Sequence, residues 1–318
     1  MPRWHPVSTI LTDIVGNCFW KGINQDRILN PDRLIDPDRI INGDDVAHGS
    51  WPWIVGFTEN GQRVCSGTII HDRWIISAEH CFPAHIAPRD SFVMTAEDFP
   101  AVAWTKLYFG DHNKRVPEDS EFFLTPQKLV FRENRSPTGN RRDTRAADIV
   151  MIQVESITAK LNQLPASLGY VKPACLPSVA MDAQDPYAGK HCWIAGWGYT
   201  RFGETWWGGV GGSRLASTLQ EAGINIFSNQ YCADHSHMTL ADKLEDVTTS
   251  AQLQTYNEFC AGIADHNGDG KIDGDIDACS GDSGGPLICD VNGTPTLVGI
   301  TSRGKGCAME DNPGEYKL

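Results

Sequence analysis

Three short stretches carry the residue types that nucleophilic chemistry needs. In Gly281-Asp282-Ser283-Gly284-Gly285-Pro286 a serine is flanked by glycines. Glycine accepts positive φ, so such a segment can turn tightly, expose the hydroxyl and aim backbone N–H groups at one point. Acyl transfer uses that arrangement, because a developing oxyanion must be met by fixed donors. A serine hydroxyl is a weak nucleophile until a base takes its proton. His80, in Ile76-Ser77-Ala78-Glu79-His80-Cys81 at the end of an apolar run, is the candidate base. Asp148, which leads Ile149-Val150-Met151-Ile152, is the candidate carboxylate that orients it. Singly, a glycine-rich turn, a strand-end histidine and a strand-capping aspartate are common structural features. Their combination carries the signal.

A scaffold must hold these groups together, and the pattern from Ile40 onward is all-β. Short runs rich in Val, Ile, Trp and Phe, such as Trp53–Phe57, Val64–Ile70, Trp74–Ser77, Ile149–Val154 and Thr296–Thr301, alternate with Gly, Pro, Asn and Asp. Only Thr239–Val247 reads as helical. Many brief strands point to a closed barrel or a sandwich. Phe82–Thr105, Thr200–Arg214 and Ala233–Glu258 are polar or glycine-rich and read as long surface loops. Residues 1–39 read as a separate leader. Its hexapeptide repeat, Asp26-Arg27-Ile28-Leu29-Asn30-Pro31 and its two successors, favours an extended, accessible segment.

Composition removes several function classes. A net charge of −13 argues against nucleic acid or an anionic membrane as partner. No stretch is long and apolar enough to span a bilayer. The Val7–Val15 run is short and broken by Asp13, so it does not read as a signal peptide. Ten cysteines run from Cys18 to Cys307, with no CxxC pair and no zinc-like Cys/His spacing. Disulfides, an oxidising compartment and secretion follow.

In the order His80, Asp148, Ser283, the three segments resemble the chymotrypsin–trypsin family of serine endopeptidases. The resemblance spans Ile40 to Leu318 and extends to Arg39-Ile40-Ile41-Asn42-Gly43, Cys192-Trp193-Ile194-Ala195-Gly196-Trp197-Gly198, Leu219-Gln220-Glu221-Ala222 and Pro313-Gly314-Glu315-Tyr316. It implies two six-stranded antiparallel barrels, at about residues 40–160 and 161–318, with the active site between them. The sequence ends at Leu318, short of the C-terminal helix that usually packs on the second barrel. It further implies the disulfides Cys65–Cys81, Cys192–Cys289, Cys232–Cys260 and Cys279–Cys307. Cys18 and Cys175 remain as the pair that ties the leader to the catalytic domain. The chemistry needs no cofactor.

The same resemblance assigns further roles. Cleavage after Arg39 would free the α-amino group of Ile40, which would pair with Asp282 and order an oxyanion hole made by the N–H groups of Gly281 and Ser283. Asp277, six residues before Ser283, would form the floor of the primary pocket, between Gly304 and Gly314. Its carboxylate selects Arg or Lys, and Ala278 beside it offers no hydroxyl, which favours Arg. Protein substrates with Arg or Lys before the cut, and protein inhibitors, are the implied partners. Ser302-Arg303-Gly304 lines the substrate cleft, and Arg303 stands where the family usually has tryptophan. A guanidinium there would favour acidic residues upstream of the cut. Glu79 replaces a residue that is usually small.

Two loops are candidates for structural calcium. Asp111–Glu121 resembles the trypsin calcium loop, with side chains from Asp111, Glu118 and Glu121 and carbonyls from Asn113 and Val116. Asp265, Asn267 and Asp269 match the first half of an EF-hand loop, although Ile276 falls where its final acid belongs. The alternative for each is a solvated acidic turn.

Overall fold

The computed structural model describes residues 43–59, 62–82, 93–95, 106–131, 148–164, 170–177, 187–200, 215–235, 258–265, 268, 273, 274, 276–304 and 306–317. Arg39, Ile40, the leader repeats, the helix expected at Thr239–Val247 and the paired tryptophans Trp206-Trp207 lie outside these residues.

Strand burial follows the two-residue period that places successive side chains on opposite faces. β6 (Lys106–Phe109) and β11 (Gln220–Ile226) alternate half-buried and buried residues along their whole length. β14 (Thr294–Arg303) is buried at eight consecutive positions, because both of its faces meet protein.

The first sheet contains β2 (Ile54–Glu59), β3 (Gln62–His71), β4 (Trp74–Ser77), β5 (Val93–Thr95), β6, β7 (Phe122–Leu124), β8 (Lys128–Phe131) and β9 (Val150–Gln153). Its order is β5-β8-β9-β4-β3-β2-β6-β7, a half-barrel with no closing pair among the described residues. The second contains β1 (Asp44–Asp45), β10 (His191–Gly196), β11, β12 (Glu258–Gly262), β13 (Pro286–Val291), β14 and β15 (Gly314–Lys317). Pairing of β12 with both β11 and β15 closes six of these strands into a barrel. β1 joins that barrel's outer edge, where Asp44 and Asp45 pair with Glu221 and Gln220. Thus the first described strand belongs to the second sheet, although it lies in the stretch assigned by sequence to the first. β5 likewise forms within a stretch that sequence reads as loop.

Two cores result. Trp53, Phe57, Phe109, Leu129 and Phe131 fill the first, with Phe109 stacked on Phe122. Ile194, Ile224, Leu287, Val298 and Tyr316 fill the second. Four disulfides join Cys65–Cys81, Cys192–Cys289, Cys232–Cys260 and Cys279–Cys307. Cys175 is also disulfide-bonded, and Cys18 lies outside the described residues. Two short helices escape the sequence pattern: α1 (Ile157–Leu161) and α2 (Asn229–His235). Ser156 caps α1 by accepting the Ala159 N–H.

Candidate active site

His80 sits in a single 3-10 turn, Glu79–Cys81, directly after β4. The Cys65–Cys81 bond ties that turn to β3. Asp148 immediately precedes the buried residue Ile149 and β9, and is itself only 2% exposed. Its carboxylate meets His80 twice. Oδ1 accepts the His80 backbone N–H at 2.9 Å, and Nδ1 of the ring lies 2.9 Å from Oδ2. The Ser302 hydroxyl donates to Oδ2 as well. Burial alone would raise the pKa of Asp148. The hydrogen bonds and charge of His80, with the Ser302 hydroxyl, outweigh it and hold the carboxyl at about 2. An ionised carboxylate on Nδ1 favours the tautomer with its proton there, which leaves the Nε2 lone pair able to accept one.

Ser283 is held from both sides. Its carbonyl accepts the Ser66 N–H at 2.8 Å, and the next residue, Gly284, donates its N–H to Thr301 at 2.7 Å. Gly284 has φ of 77°, and a Cβ there would lie 2.1 Å from the Ser77 hydroxyl, so no other residue fits. His80, Ser283, Ser302, Arg303, Gly304 and Gly314 line one cleft of about 230 Å³. Among the described residues nothing hydrogen-bonds the Ser283 hydroxyl. The N–H groups of Gly281, at φ 103°, and of Ser283 likewise have no acceptor among them. Catalytic hydrogen bonds commonly tighten only when substrate binds.

Two buried carboxylates lie behind this cleft. Asp282 packs against Gly196 and Gly198, where any Cβ would come within 2.3 Å of its oxygens. It accepts N–H groups from Gly198 at 2.7 Å and Cys279 at 3.0 Å, yet burial pushes its pKa up to about 6. Asp277 accepts the Ala308 N–H at 3.2 Å, and burial pushes its pKa up to about 7. A Cβ on Gly314 would lie 2.8 Å from one Asp277 oxygen, and a Cβ on Gly304 3.9 Å from the other. The carboxylate therefore lies between those glycines, just behind the cleft lining. Ala278 lines the cleft itself.

Arg303 lines the cleft as expected, and its guanidinium lies among acids: Nε is 3.5 Å from Glu315 and Nη2 3.7 Å from Glu258. Glu258 also holds the buried ammonium of Lys317. Strand register explains the cluster, because Arg303 faces Glu315 and Glu258 faces Lys317 across adjacent ladders. Sequence reasoning missed Glu258 and Lys317. Both occupy strand positions where charge is rare, which was the available signal. Ser302, expected on the substrate side, also serves Asp148.

In the first candidate calcium loop several of the expected ligands already meet protein partners. Glu118 accepts the His112 N–H at 2.9 Å and lies 3.4 Å from His48. Asn113 Oδ1 accepts the Arg115 N–H, and the Asn113 carbonyl accepts the Val116 N–H. Asp111 is buried and Glu121 half-buried, and among the described residues no three carboxylates gather at ligand distance. Cys65, His80 and Cys81 do lie together, but both sulfurs are already in a disulfide. In the second loop Asp265 is exposed and accepts the Gly268 N–H, while Asn267 and Asp269 lie outside the described residues.

A closed barrel beside a half-barrel, with a carboxylate-backed histidine and a glycine-flanked serine lining one cleft, has the architecture of a two-barrel serine protease. The trypsin family model matches residues 40–317, and the chain belongs to that family. Among solved structures, neuropsin, a serine protease expressed in the limbic system of mouse brain, superposes with a TM-score of 0.58. It is 24% identical, and the match covers 86% of this chain and 92% of neuropsin.

Proposed function

We propose that the chain is a secreted zymogen of a serine endopeptidase that cuts after Arg or Lys and acts by limited proteolysis. The observation that carries this reading is the ionised, buried Asp148 on His80 Nδ1, in the cleft shared with Ser283. Ser283 Oγ attacks the scissile carbonyl carbon while His80 Nε2 takes its proton. The N–H groups of Gly281 and Ser283 receive the oxyanion. Collapse of the tetrahedral intermediate breaks the C–N bond, and His80 returns the proton to the leaving amine. Water then repeats the sequence on the acyl-enzyme and releases the acid.

Activation follows from the buried charge of Asp282. A shift from 3.8 to about 6 corresponds to about 3 kcal/mol against the ionised form. Cleavage after Arg39 would supply the Ile40 ammonium, and pairing would remove much of that cost. Five disulfides, counting Cys18–Cys175, suit an extracellular compartment. No helix among the described residues is long and apolar enough to cross a membrane.

Purified chain, before and after controlled cleavage at Arg39, is assayed on Arg, Lys and Phe amide substrates. Activity on Arg and Lys that appears only after cleavage, and falls on the order of 10⁵-fold in Ser283→Ala, is the expected result. Full turnover by Ser283→Ala would sink the nucleophile assignment. An inactive but correctly cleaved chain that still binds arginine ligands would favour a silent binding domain.

A further inference from the structure

Against β3 and α1 lies a groove of about 240 Å³, lined among the described residues by Ile69, Ile157, Leu161, Val171, Pro173 and Asp72. The chain leaves it through Ala174, also in its lining, whose N–H donates to the Ile69 carbonyl at 2.8 Å. Cys175 comes next, buried and disulfide-bonded. Eight of the ten cysteines pair with one another, so Cys18 is the partner left for it. Cys18 is followed directly by Phe19-Trp20-Lys21.

Covalent reach then limits where those aromatics can be. A disulfide holds its two Cα atoms within about 7 Å, and each further residue adds at most about 3.6 Å. Phe19 and Trp20 would lie within about 14 Å of Cys175 Cα, next to an apolar groove that begins one residue away. Left in water, two large aromatic side chains would forfeit most of their favourable burial. Asp72, whose carboxylate accepts the Thr158 N–H at 2.7 Å, supplies a negative charge for Lys21.

We propose that Phe19 and Trp20 seat in this groove with Lys21 beside Asp72. The leader is then a fixed part of the first half-barrel, before and after cleavage at Arg39. This goes beyond the catalytic reading and stands whether or not the chain hydrolyses peptides.

The test uses the full chain carrying Ser283→Ala, compared with the same chain carrying Phe19→Ala and Trp20→Ala. Non-reducing peptide mapping first establishes which cysteine bonds Cys175. Hydrogen exchange is then followed at residues 69–72, 157–161 and 171–174, in the intact and Arg39-cut forms. Faster exchange at these segments in the double variant, with Cys18–Cys175 intact and a thermal midpoint lower on the order of 5 °C, supports the proposal. A different partner for Cys175 overturns it, as does identical exchange in the two proteins. Protection that depends on protein concentration also overturns it, because a second copy would then be the occupant.

Discussion

Asp277 is the group whose environment most directly predicts a measurable pH dependence. Burial raises its pKa from 3.8 to about 7, a difference worth about 4 kcal/mol between its protonation states. The sign follows from which state the fold favours. The folded protein prefers neutral Asp277, so stability from this group is complete below pH 4 and is lost as pH rises towards 7. A cationic ligand needs the opposite, ionised form. Its apparent dissociation constant scales as one plus ten to the power of pKa minus pH, about 1.1 at pH 8 and about 11 at pH 6. Binding of arginine amide to Arg39-cleaved Ser283→Ala protein should therefore weaken about tenfold between those pH values. Calorimetry at pH 6 should also record release of nearly one proton per ligand. Asp277→Ser should bind far more weakly and lose the pH dependence, which separates this titration from that of any other cleft group. A constant affinity from pH 5.5 to 8 would refute the raised pKa of Asp277, and undiminished binding by Asp277→Ser would refute its assignment to the cation.

Other outcomes follow from the charged cluster and the acidic loop. Glu258→Ala leaves the buried Lys317 ammonium without its partner and should cost about 3–5 kcal/mol in urea unfolding, whereas Glu258→Met with Lys317→Met should cost much less. Equal losses in the two proteins would show that packing, not charge, governs the site. Because Arg303 is already paired with Glu258 and Glu315, peptides ending Asp-Pro-Asp-Arg and Ala-Pro-Ala-Arg should be cut at rates within about threefold. A larger advantage for the acidic peptide would mean that Arg303 leaves its partners for substrate. Thermal midpoints in EDTA and in millimolar calcium should coincide, since Glu118 is engaged by His112 and His48. A calcium-dependent rise would show that the loop refolds around the ion.

What the sequence made legible was the part written in local chemistry and in family motifs. The strand runs at Trp53–Phe57, Trp74–Ser77 and Thr296–Thr301 coincide with β2, β4 and β14, because apolar residues bounded by turn formers have few other ways to be buried. α1 and α2 escaped because five and seven residues are too short for a helical period to emerge. Asp282 and Asp277 could be named from the family resemblance, but their raised pKa values could not, since these arise from burial that only the tertiary fold creates. Arg303 shows the limit most sharply. The family resemblance implied its position at the cleft, and its residue type gives its charge. Whether that charge faces substrate depends on Glu258 and Glu315, which lie 45 residues before it and 12 after it. Only the β12-β15-β14 order brings those acids beneath the guanidinium. The guanidinium at the cleft therefore belongs to a cluster with Glu258, Glu315 and Lys317, whose formal charges cancel.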